Sequence, residues 1–217
     1  MFFHASRKVK APSDIVRMSY SEFSNMARRA DETKMGPEEP HHYFSTGTGR
    51  GDRFANNFFN RDLPFFATRE PNFFIPTPED NKGIQCRFGM RGTNAASHYD
   101  SGRNMIAVFR GTRRYVLNPP SSCKYLSYIP DKSHPSFRHS VVDMTDLNFI
   151  KHDKIAQAET IDTILRDGEV LYVPSFWAHY VISLDQSIQC NSRSGFPPGR
   201  QGEADMKECM GPENDTE

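Results

Sequence analysis

From residue 83 onward the chain is a succession of short apolar runs with turns between them and almost nothing helical. The runs at 84–90, 104–109, 113–117, 159–164, 169–173, 179–183 and 187–191 have strand length and are rich in β-branched and aromatic residues. Turn signals separate them: Arg110-Gly111-Thr112, Asn118-Pro119-Pro120, Arg166-Asp167-Gly168 and Asp185-Gln186. Only residues 153–158 carry a weak helical period. A parallel sheet needs a long crossover, usually a helix, between successive strands. The pattern therefore predicts a mainly β protein, an antiparallel barrel or jelly roll. Barrels of this kind enclose a ligand cavity at one mouth.

The rest of the chain reads differently. Ser19 and Glu22 fit a capping box, and Met18 with Phe23 fits the hydrophobic staple beside it, so a helix is expected up to about Ala30. Residues 34–40 read as a linker or exposed loop. Between residues 56 and 78, Phe residues alternate with prolines, which excludes one long helix and suggests turns laid over a sheet. An aromatic nucleic-acid-stacking surface is the alternative, but the segment lacks a basic stripe. From residue 196 to the end, Gly, Pro and acidic residues dominate, and a disordered tail is expected. The expected organisation is an N-terminal segment with one helix (1–36), a barrel domain (37–195) and the tail (196–217). A mean hydropathy of −0.68 agrees with part of the chain lying outside any core.

Composition narrows the function classes. Basic and acidic residues balance at 27 each, so no global field points to nucleic acid or membrane. Cys86, Cys123, Cys190 and Cys209 show no CxxC spacing, and reduced thiols are expected. No apolar run reaches membrane-spanning length, and His4, Arg7, Lys8 and Lys10 interrupt the apolar start, leaving no signal-peptide core. The expected location is the cytoplasm or nucleus. A longer native N-terminus remains open.

The residues that carry chemistry are His98-Tyr99-Asp100 and the distant His179. On an extended backbone His98 and Asp100 point to one face and Tyr99 to the other. Two imidazoles and one carboxylate can hold one face of an octahedral ferrous ion, leaving the opposite face open. A His-x-Asp triplet alone arises by chance in roughly half of chains with this residue usage, and a core histidine beside a capping aspartate is its bland reading. The second stretch changes the balance: Gly168-Glu169-Val170-Leu171-Tyr172-Val173-Pro174, then Trp177 and His179.

Together the two motifs resemble the JmjC/cupin-like Fe(II)- and 2-oxoglutarate-dependent oxygenases. The branch resembled is that of the asparaginyl hydroxylase that inhibits hypoxia-inducible factor, and the match covers about half the chain. The resemblance implies a double-stranded β-helix, the jelly-roll barrel of cupins. It implies His98, Asp100 and His179 as metal ligands, with Fe(II) as cofactor and 2-oxoglutarate and O₂ as co-substrates. Arg113 falls where the family places a basic residue, often Lys, on the distal carboxylate of 2-oxoglutarate. A guanidinium suits that task by forking onto a carboxylate; the bland reading is a solvated hairpin charge. Asn104 and Asn191 match asparagines near the co-substrate, Asn191 being otherwise a turn residue, and Tyr43 is a looser match. His41-His42 reads as an exposed loop pair. In one departure, Ala95 stands where the related hydroxylase has a Thr that bonds 2-oxoglutarate, with Thr93 and Ser97 nearby.

The resemblance implies oxidative decarboxylation of 2-oxoglutarate to succinate coupled to hydroxylation, with no protein nucleophile or general base. A protein side chain is the leading substrate class, and RNA or a small molecule the alternative. Two other classes compete: a non-catalytic cupin-like module keeping a metal clip, and a cupin isomerase or dioxygenase without 2-oxoglutarate. Arg113 separates the last, which needs no cation at that depth. No membrane partner is expected, and oligomeric state is open.

Overall fold

Residues 16–33, 35, 39–47, 62, 68–144, 154–195 and 201–210 are described by the computed structural model. Among them, nine strands pair into two sheets with every pairing antiparallel. The strands are β1 (Tyr43–Gly47), β2 (Asn81–Gly89), β3 (Asn94–Tyr99), β4 (Asn104–Arg110), β5 (Arg113–Asn118), β6 (Ile161–Leu165), β7 (Val170–Val173), β8 (Ala178–Ser183) and β9 (Ser187–Ser194). One sheet has the order β1-β2-β9-β4-β7 and the other β3-β8-β5-β6. From β2 to β9 the chain changes sheet at each turn except between β5 and β6. This is the antiparallel jelly roll that the turn-punctuated strand pattern predicts, and the double-stranded β-helix that the resemblance implies.

Alternation along each strand sorts side chains to two sides. Ile106, Val108, Tyr115, Leu117 and Val181 point inward and pack with Leu165 and Val173 to form the core between the sheets. On the outer face of the five-stranded sheet, Ile84, Cys86, Met105 and Cys190 are covered by Phe74 and Ile75. Asn72 holds that cover in place: its side-chain oxygen accepts from the backbone N–H of Phe74 (2.8 Å) and of Ile75 (2.7 Å). The Phe/Pro segment thus does lay turns over a sheet where it is described. Its residues 56–61 and 63–67 lie outside the described residues.

Helix α1 (Tyr20–Glu32) closes the Phe88 end of the same face with Phe23, Ala27 and Ala30 against Met90. Its capping box is complete: Glu22 N–H donates to Ser19 Oγ (3.2 Å) and Ser19 N–H to Glu22 Oε2 (2.7 Å). Ser19 also holds the Glu22 carboxyl below its ordinary value. Of the expected linker, residues 34 and 36–38 lie outside the described residues. The weak period near 153–158 is a single 3-10 turn, Ile155–Gln157.

Two expectations are corrected. The cysteines are not reduced thiols: Cys86 joins Cys190, its directly opposed partner on β9, and Cys123 joins Cys209. Partners 104 and 86 residues apart leave no local spacing pattern, so only the fold reveals them. Nor is the tail wholly disordered. Gln201–Met210 form a helix, here α3, which buries Met206 against Tyr99 and Cys123 of the short helix α2 (Cys123–Leu126). Ala204, Met206, Cys209 and Met210 are too few to show a period, and tertiary contact supplies the stability. Residues 196–200 and 211–217 lie outside the described residues. Among the described residues no helix is long and apolar enough to cross a membrane.

Candidate metal centre

Strand β3 ends beside the start of β8, and the register sets His98 directly opposite His179. Asp100 follows one residue past β3. The one ligand atom offered by each of His98, Asp100 and His179 lies within 4.8 Å of the other two. Tyr99 points the other way, into the cluster with Cys123 and Met206. The two loops are tied together by Phe176, whose N–H donates to the Asp100 carbonyl (2.8 Å). Phe176 adopts φ 65°, a left-handed conformation that costs a non-glycine residue on the order of 1–3 kcal/mol. That bond and the packing of its ring beside Tyr99 hold it there.

Protons are arranged to suit a cation. His98 Nδ1 lies 2.8 Å from the Ala96 carbonyl and His179 Nδ1 3.2 Å from the Trp177 carbonyl. Each Nδ1 therefore carries the proton and each Nε2 is a bare acceptor. Burial, then the charge of His179, pushes His98 down to about 3, and burial likewise lowers His179. Burial alone would raise Asp100, but Arg193 and the two imidazoles outweigh it and hold the carboxyl below its ordinary value. Asp100 Oδ2 is buried with no hydrogen-bond partner and lies 3.9 Å from His179 Nε2. Three acceptors thus converge with no proton between them, a donor set that fits a divalent metal ion. His139 stacks on His98 with ring centroids 5.0 Å apart, backing that ligand from the excursion between β5 and β6.

Arg113 is no solvated hairpin charge. It is 5% exposed inside the barrel, donating through Nε to Ser187 Oγ (2.9 Å) and through Nη2 to the Arg87 carbonyl (3.3 Å). Asn191 is not a turn residue either. It lies within β9, donates to Asn104 Oδ1 (3.0 Å) and accepts from Arg87 Nη1 (2.8 Å). Tyr43 is 55% exposed on the edge strand β1, opposite Gly89. Of the hydroxyls near Ala95, Thr93 Oγ1 donates to the His42 carbonyl and Ser97 interacts with Tyr128. The hydroxyls of Ser183, Ser187 and Tyr115 surround Arg113 instead.

Sequence reasoning missed Arg87, Tyr115, Gln189 and Arg193. Tyr115 donates to Gln189, its hydroxyl pushed up to about 12 by burial, and Arg193 Nε lies 3.1 Å from Asp100 Oδ2. A signal was present. Gln85 and Arg87 alternate with Ile84, Cys86 and Phe88, and Gln189, Asn191 and Arg193 alternate with Ile188, Cys190 and Ser192. Such alternation in strands covered on both faces marks a polar interior.

The pattern that defines the cupin-like domain family matches residues 3–192. The chain belongs to that family. Among curated proteins, this cupin-like chain is 24% identical over 176 residues to the tRNA wybutosine-synthesizing protein 5 of Danio rerio, covering 80% of the chain and 52% of the relative. It is 32% identical over 123 residues to the lysine-specific demethylase JMJ30 of Arabidopsis thaliana, 54% of the chain and 27% of that protein. The Jumonji C domain-containing protein 5 of Drosophila melanogaster is 28% identical over 116 residues, 52% of the chain and 28% of that protein. The JmjC resemblance drawn from the two motifs is thus borne out. The chain spans about half, or less, of the length of these relatives.

Proposed function

We propose that this cupin-like protein is an Fe(II)- and 2-oxoglutarate-dependent oxygenase that hydroxylates a side chain of a protein substrate. The observation that carries the reading is the convergence of three proton-free acceptors within 4.8 Å at one end of a barrel whose interior also holds a buried arginine. His98, Asp100 and His179 would hold iron on one face. When bound, iron with 2-oxoglutarate and O₂ supplies oxidative decarboxylation to succinate coupled to insertion of one oxygen atom into a C–H bond.

The chain's own residues bind and orient. Arg113, fixed by Ser187 and the Arg87 carbonyl, takes the distal carboxylate of 2-oxoglutarate. Asn104 and Asn191, bonded to each other, form the polar wall along the co-substrate. Arg193 keeps Asp100 ionised and therefore available as a ligand. The apolar core between the sheets excludes water from behind the centre. A tRNA nucleoside is the second reading. It is favoured by the wybutosine-synthesizing relatives, which match the chain over about four-fifths of its length, whereas the demethylase matches about half.

The test is succinate release from 2-oxoglutarate by purified protein with ferrous iron and ascorbate, without prime substrate. Slow turnover that disappears in His98→Ala is expected. Turnover no greater than that of His98→Ala, in an assay proven on a known oxygenase, would sink the enzyme reading and leave a non-catalytic metal-binding module. A mass gain of one oxygen on trapped peptides or on tRNA then separates the two substrate classes.

A further inference from the structure

Along β9 the residues Ser187, Gln189, Asn191 and Arg193 all face the barrel interior, each about 7 Å beyond the last. Strand β2 runs beside them with Gly89 opposite Ser187, Arg87 opposite Gln189 and Gln85 opposite Asn191. Arg113 meets this row at Ser187. Arg87 lies one level further and reaches Asn191, and Arg193 lies at the far end beside Asp100. Three guanidiniums therefore line one wall, with Asp100 beside Arg193 at the far end and the charge of Asp185 felt by Arg113 at the near end.

Among the described residues only Arg193 forms an ion pair there. Arg87 donates to Asn191 Oδ1 (2.8 Å) and Gln85 Oε1 (3.3 Å), and Arg113 to Ser187 Oγ and a backbone carbonyl. Among the described residues neither forms an ion pair with a carboxylate. Two largely buried cations with neutral partners are unfavourable until an anion arrives. Both are already fixed by protein hydrogen bonds, so an anion meets a preformed site. The metal ligands are not part of that scaffold: their own geometry is set by Ala96, Trp177 and Phe176.

We infer that Arg87, steadied by Asn191, and Arg113 form the two ends of a dicarboxylate clamp that works without the metal. The inference rests on the oxygenase reading and deepens it: Arg87 becomes a co-substrate-specificity residue that neither motif contains.

The experiment is calorimetric titration of the metal-stripped full chain, held in chelator, with 2-oxoglutarate, succinate and butyrate, repeated with metal added. Both dicarboxylates are expected to bind the stripped protein within about tenfold of the metal-loaded affinity. Butyrate, which reaches one end only, should bind at least about tenfold more weakly, the loss of one charge-assisted contact. Arg87→Met should weaken dicarboxylate binding to the stripped protein by on the order of 10–100-fold. Should that variant fail to melt cooperatively, Arg87→Lys, which keeps the charge and loses the fork, is expected to bind less tightly than the parent.

Dicarboxylate binding that requires metal overturns the clamp and leaves the oxygenase reading standing. Binding in neither state removes both. Unchanged metal-free affinity in Arg87→Met, or in Arg87→Lys where that variant stands in, overturns the role given to Arg87.

Discussion

A single methyl group added at Gly89 should disarm the buried arginine without touching the metal ligands. Gly89 closes β2 on its inner face, and a Cβ built there lies 2.5 Å from Ser183 Oγ and 3.0 Å from Arg113 Nη2. The backbone is not in the positive-φ region, so alanine is conformationally allowed, and its lower chain entropy contributes about 0.5–1 kcal/mol of stability. Two rearrangements oppose that gain. Ser183 must turn away, breaking the bond it accepts from Ser187 (3.2 Å), a loss of about 1 kcal/mol. Arg113 Nη2 must give way by a few tenths of an ångström, weakening its bond to the Arg87 carbonyl (3.3 Å) and the neighbouring Nε bond to Ser187 (2.9 Å), bonds from a charged donor worth about 1.5–3 kcal/mol when lost outright. The Gly89→Ala protein is expected to be less stable by up to about 3.5 kcal/mol in urea titration. The displaced guanidinium no longer forks onto the carboxylate, so 2-oxoglutarate affinity of the metal-loaded protein should fall by roughly tenfold or more. Metal affinity should hold, because the three ligands lie on β8 and at the end of β3. If Gly89→Ala binds 2-oxoglutarate as tightly as the parent, Arg113 is not the carboxylate's partner.

Two further outcomes follow from the same geometry. Cys209→Ser opens the 86-residue loop closed on Cys123. Chain-entropy reasoning gives up to about 4–5 kcal/mol for a loop of that length, and the interleaved Cys86–Cys190 bridge reduces it. A melting temperature lower by several degrees, and at most about 20 °C, is expected; equal melting, or four reactive thiols in the unreduced parent, contradicts the pairing. Acid should destabilise the metal-free protein through His98, which is held down to about 3 when folded, whereas the unfolded chain takes up that proton below about pH 6.5. The contribution is therefore complete above pH 6.5 and is lost as pH falls toward 3. A melting temperature that does not fall between pH 7 and pH 5 refutes the neutral, buried assignment.

The fold was legible because its signals are local. The Gly, Pro and Asp turns between the strands and the Ser19/Glu22 box act over three or four positions, and both reappear in the structure. Strand β3 carried the weakest signal: Asn94, Ala95, Ala96 and Ser97 have low strand propensity, and pairing with β8 imposes the conformation. The disulfides and α3 were invisible for the opposite reason, since each depends on partners about a hundred residues away. In the site, the metal ligands lie in two motifs of fixed spacing. Arg87 and Arg193 lie in none, and only the face they share with Asn191 reveals them.

That shared face also fixes how metal and anion must influence each other. Asp100 Oδ2 is the oxygen that faces both His179 Nε2, at 3.9 Å, and Arg193 Nε, at 3.1 Å. A cation bound there competes with a guanidinium for the same carboxylate and is repelled by Arg87 beyond it, so the bare protein should hold metal weakly. A dicarboxylate lowers that repulsion and tightens the metal. Thermodynamic linkage then requires the metal to tighten the dicarboxylate by the same factor. The size of that one factor decides between two designs. If the metal supplies most of the hold on the co-substrate, the factor runs to thousands. If the arginine wall supplies it, the factor is about ten or less, and the same value must be found whichever ligand is titrated first.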